Sequence, residues 1–79
     1  MKLNIITPDA TLFTADNIHL VQLPGVGGSF EIMSNHAPLI SVLKEGKIKV
    51  VIKGQDPKFF DIQGGVIEVL NNKVLILAE

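Results

Sequence analysis

The sequence has no cysteine, no tryptophan, no tyrosine and no arginine. Without cysteine there is neither a disulfide framework nor thiolate chemistry, which fits a reducing compartment. Without arginine the bidentate clamp for phosphate is missing. A strong charge of either sign is also absent: seven lysines stand against eight acidic residues, net −1. That balance offers no field for duplex DNA or an anionic membrane. The opening Met1-Lys2-Leu3-Asn4-Ile5-Ile6-Thr7-Pro8 has neither the apolar core nor the cleavage site of a signal peptide. No run approaches the roughly 20 apolar residues of a membrane-spanning helix. The expectation from these absences is a soluble, cytoplasmic domain.

What is present is apolar. Hydrophobic residues make up 47% of 79 positions, and the mean hydropathy is +0.40. Residues 1–79 have room for one domain and one core, and a chain this small hides only about 60% of the surface its unfolded form exposes. The apolar excess therefore means either an obligate protein contact or a well-filled sandwich with ordinary surface hydrophobes.

The periodicity is that of strands. Lys47 to Lys53 puts Ile48, Val50 and Ile52 on one face and Lys47, Lys49 and Lys53 on the other. Leu3–Thr7, Asn17–Leu23, Leu39–Leu43, Lys58–Gln63, Val66–Leu70 and Lys73–Leu77 read as further strands, with Thr11–Thr14 a short strand or bend. Alternation slips where Leu20 meets Val21, which a bulge or burial on both faces explains. Pro24–Gly28, Gly54–Pro57 and Gly64-Gly65 are breaks. Asn71-Asn72 is a two-residue hairpin turn, since asparagine tolerates the left-handed region. No segment shows a capped helical period. The predicted fold is all-β: a small antiparallel β-sandwich or flattened barrel of about eight to ten short strands. Between the plain strands, Gly27 to Ile40 reads as one long, ordered surface connector.

Candidate chemistry is thin. His19 and His36 are the only histidines and no metal-ligand spacing accompanies them, so no metal or cofactor site is predicted. Glu31 and His36 could be drawn as an acid–base pair, but no nucleophile stands in a recognised context, so no catalytic residue is assigned. Gly25-Val26-Gly27-Gly28 lacks the following helix a phosphate loop needs. The lysine face of 47–53, with Lys44 and Lys58 nearby, could track nucleic acid as an oligonucleotide-binding barrel does. Such barrels stack bases on aromatics, which are scarce here, and a solvated face is the simpler reading. Phe30 is either an anchor folded into the core or a contact offered to a partner.

Gly28-Ser29-Phe30-Glu31-Ile32-Met33-Ser34-Asn35-His36-Ala37-Pro38-Leu39-Ile40 resembles the signature loop of the epsilon subunits of rotary, F-type ATP synthases, which carries a His-Ala-Pro-Leu core. Gly64-Gly65-Val66-Ile67-Glu68-Val69 is similar to a second family motif, and Thr7-Pro8-Asp9 with Phe13 and Leu77-Ala78-Glu79 fit the same frame. Glu31 replaces a family glycine and Ser34-Asn35 replaces Pro-Gly; Asn35 can keep a left-handed turn. The resemblance implies the N-terminal β-domain of a non-catalytic central-stalk subunit without cofactor, in a short form lacking the C-terminal helical hairpin. It would join the gamma subunit to the c-ring at the cytoplasmic face of the bacterial inner membrane, helping couple ion-driven rotation to ATP synthesis. By position, Ser29, Phe30, Glu31 and Ser34 would face the c-ring, and Thr7, His36 and Ser41 would lie near gamma.

Overall fold

The computed structural model describes residues 1–79 as nine strands and no helix. They are β1 (Lys2–Ile6), β2 (Thr11–Ala15), β3 (Ile18–Gly25), β4 (Gly28–Met33), β5 (Leu39–Leu43), β6 (Gly46–Ile52), β7 (Lys58–Ile62), β8 (Gly65–Leu70) and β9 (Lys73–Ala78). One continuous sheet runs β2-β1-β9-β8-β5-β3-β6-β7, with β4 added on β3. β5 and β3 meet only where Leu43 faces Gly25, so the sheet folds over at that seam into two layers, the first of β2, β1, β9, β8 and β5 and the second of β3, β4, β6 and β7. All pairs are antiparallel except β1 with β9. A parallel pair needs a long connection, and here nearly the whole chain lies between the two strands.

The alternation that identified β6 and β8 also fills the core. Ile48, Val50 and Ile52 point inward from β6, Ile67 and Val69 from β8, and Val74, Ile76 and Ala78 from β9. Sixteen buried hydrophobic residues form one cluster and no polar side chain is buried with them. The stability of the sandwich is therefore the release of apolar surface from water, with no buried charge to offset. At the far ends of the sheet, the rings of Phe13 on β2 and Phe60 on β7 meet at 5.2 Å, tilted by 47°. That contact bridges two strands that share no hydrogen bond. Met1 adds a second clasp: its amine donates to the Ile18 carbonyl at 3.2 Å, and Ile18 N donates back to the Met1 carbonyl at 3.1 Å.

One local expectation is narrowed to one of its two alternatives, and another resolves differently from the sequence reading. The slip in β3 is a bulge: the register against β6 shifts between Ile18 and Leu20, leaving exposed His19 as the extra residue. The stretch from Gly27 to Ile40 is not one connector. Gly28–Met33 is a strand in register with β3, from Gly25↔Gly28 to Leu20↔Met33, and Leu39-Ile40 already belong to β5. Only residues 34–38 connect them. The hairpin turn before β4 is just Val26-Gly27, and Pro24 and Gly25 are the end of β3. Pairing with β3 satisfies the backbone groups along one edge of 28–33, which a free loop would leave to water.

Candidate functional site: a connector, a hairpin face and an outer apolar row

The connector 34–38 is built on a left-handed residue. Asn35 has φ 64°, so asparagine does take the place that glycine would hold. His36 N donates to the Met33 carbonyl at 3.2 Å, which closes the turn. Its ring Nδ1 lies 2.7 Å from the Ala37 carbonyl. A carbonyl only accepts, so this contact places a proton on Nδ1 and leaves the Nε2 edge of the ring exposed. Asn35 N donates to Asn72 Oδ1 at 2.8 Å, which docks the connector on the β8–β9 turn.

On β4 the alternation of the strand divides three of the four residues assigned to the c-ring. Ser29 and Glu31 project outward and are exposed, with Ser29 Oγ accepting from Gln22 Nε2 at 3.0 Å. Phe30 turns the other way, half-buried against the core. Its ring covers Gly25, where an added Cβ would sit 2.7 Å from Phe30 Cε1. Phe30 is thus an anchor that holds the hairpin to the core, while Ser29 and Glu31 share the free face. Ser34 is exposed in the connector.

The three residues assigned to gamma do not form one cluster. Thr7 caps the turn after β1: its Oγ1 donates to the Ala10 carbonyl at 3.1 Å and accepts from Ala10 N at 3.2 Å. Ser41 sits opposite fully buried Ile67 and is half-buried on the inner side of β5. His36 lies at the other end of the layer, beside the Asn72 turn.

Between Thr7 and His36 lies a surface for which no individual residues were expected. On the outer face of the first layer, Val42, Val66, Leu77 and Ile6 stand directly opposite one another across β5, β8, β9 and β1. With strands about 4.8 Å apart, this row is roughly 14 Å long. Val42 is 59% exposed, Leu77 50% and Val66 39%, and Ile40 beside them reaches 73%. A shallow groove bounded by Ile6, Pro8, Val66 and Leu77 runs next to Thr7. The signal for it was indirect, in strands β8 and β9 whose two faces are both apolar.

The lysine face is less continuous than its spacing implies. Lys47 pairs with Asp61 at 2.8 Å, and Lys49 sits half-buried in a row with Gln22 and Phe59. No group of three His, Asp or Glu side chains comes together in a way that could hold a metal ion.

The family model for the ATP synthase delta/epsilon chain, β-sandwich domain, matches residues 1–79. The chain belongs to the ATP synthase delta/epsilon family. It is 40% identical over 78 residues to the ATP synthase epsilon chain of Chlorobium limicola, covering 99% of this chain and 88% of that one. It is 39% identical over 79 residues to the ATP synthase epsilon chain of Caulobacter vibrioides, covering 100% and 90%. In fold it is similar to a chain in the central stalk and c-ring structure of Tetrahymena thermophila mitochondrial ATP synthase. That match has a TM-score of 0.83 at 20% identity and covers 99% of this chain and 62% of the other. Within this delta/epsilon domain, the His36 connector and the outer apolar row are two surface features that the core does not explain.

Proposed function

We propose that this domain is a non-catalytic rotor subunit of the ATP synthase central stalk, joining gamma to the c-ring at the cytoplasmic face of the bacterial inner membrane. The observation that carries the reading is the apolar row Val42-Val66-Leu77-Ile6 on a domain whose family is that of a membrane-associated complex. Gamma takes this outer face, with Thr7 and His36 at its two ends and Ser41 behind it. The outer face of β4 with Ser29 and Glu31, together with Ser34 in the connector, meets the c-ring, and Phe30 supports it from below. The mechanism is mechanical: a close-packed sandwich transmits strain between the two partners, so that ion-driven rotation of the ring turns the shaft. In support, the sandwich has one contiguous core and no polar group within it that would soften it.

The test is co-purification with gamma, together with proton-coupled ATP synthesis by a holoenzyme in which Ser29, Glu31 and His36 are all changed to alanine. The reading predicts retained folding, weakened coupling and loss of rotor assembly. Intact assembly and coupling in that variant would rule out the site assignment.

A further inference from the structure

The β8–β9 turn needs two left-handed residues, and Asn71 and Asn72 supply them with φ of 52° and 62°. Glycine would serve the turn equally well. The Asn72 side chain has a separate task. Its Oδ1 accepts the Asn35 amide at 2.8 Å across 37 residues of sequence, while its own carbonyl accepts Lys2 N at 3.2 Å. A backbone N–H only donates, so the amide orientation of Asn72 is settled by this bond. The connector's remaining hydrogen bonds, His36 N to Met33 and the His36 ring to Ala37, stay within the turn itself. Residues 34–38 are all exposed, so packing holds them little.

We infer that Asn72 is a positioning residue for the connector: it docks residues 34–38 on the β8–β9 turn, so that His36 and the turn present one composite contact surface to a protein partner. This rests on the reading that the His36 end of the domain engages gamma. A connector ordered before encounter keeps the entropy that a loose one would lose on binding. The exposed Nε2 edge of the His36 ring then meets the partner in a prearranged direction.

The experiment compares the full chain with Asn72→Gly and Asn72→Asp. Glycine keeps the turn and removes the acceptor; aspartate keeps the acceptor. Amide exchange of Asn35 by NMR is expected to accelerate about tenfold or more in Asn72→Gly, with the Leu70 and Lys73 amides of the turn unchanged, and to return near the parent rate in Asn72→Asp. Unchanged Asn35 exchange in Asn72→Gly, or equal acceleration in both variants, overturns the docking. Binding to purified gamma is expected to weaken about fivefold in Asn72→Gly and recover in Asn72→Asp. Faster exchange with unaltered affinity overturns the composite surface. A parent chain that fails to bind gamma overturns the rotor reading, and the exchange data still decide the role of Asn72.

Discussion

Replacing Gly65 by alanine tests how the two halves of the first layer are held together. Gly65 lies between two strands, opposite Ala78 of β9 on one side and Leu43 of β5 on the other. Its φ of 154° is one that side chains rarely adopt. A Cβ there would run into the backbone oxygen of Leu77 and lie 3.1 Å from the Ala78 Cα. Both are main-chain atoms in a paired strand, so relief requires parting the ladder. Backbone strain of about 1–3 kcal/mol and overpacking of similar size together give about 2–6 kcal/mol. A domain of 79 residues has about 4–12 kcal/mol in all. Urea unfolding followed by circular dichroism should therefore show a midpoint lowered by about 2 M or more, or a variant largely unfolded in water. Gly27→Ala is the control: it lies in the β3–β4 turn with nothing within 4 Å and should shift stability by under about 0.5 kcal/mol. A Gly65→Ala variant as stable as this control would refute the steric argument.

A double-mutant cycle on Phe13→Ala and Phe60→Ala, read by thermal unfolding, should give a coupling of about 0.5–1.5 kcal/mol, because the two rings bridge strands that have no ladder between them. Zero coupling would mean that the ring contact adds nothing to the core and the Met1 clasp in holding the edges. Asp61→Asn should change stability by no more than about 1 kcal/mol, since the Lys47–Asp61 pair is 65% and 78% exposed, and the difference should vanish in high salt. A larger, salt-insensitive loss would mean that the pair does more than bridge a surface.

The parts of the fold legible in the sequence are those set by neighbours in the chain. The alternation of Lys47–Lys53 gave away β6 and its inward face, and Asn71-Asn72 marked a turn that asparagine makes more easily than most residues with a side chain. β4 escaped because Gly28-Ser29 lowers strand propensity and a lone Phe30 alternating with Glu31 looks like a loop; its partner β3 supplies what the local sequence lacks. The β1–β9 pairing is invisible locally because its strands lie at opposite ends of the chain, and the crowding at Gly65 because it depends on the register of the β8–β9 hairpin. At the candidate site, the left-handed Asn35 and the exposed His36 were readable from the motif. Phe30 could be narrowed to two roles, and only the position of Gly25 beneath its ring decides for the core. The apolar row was readable only as a bulk excess of hydrophobic residues. Its members come from four strands, from Ile6 to Leu77, and only the register lines them up.

The most direct measurement is the affinity of the domain for purified gamma before and after Val66→Lys and Leu77→Lys together, with the unfolding midpoint recorded for both proteins. Both side chains point outward from strands whose inward neighbours form the core. The account predicts a native-like midpoint and affinity reduced by about tenfold or more, equivalent to about 1.4 kcal/mol. Undiminished binding by the folded double variant would contradict it.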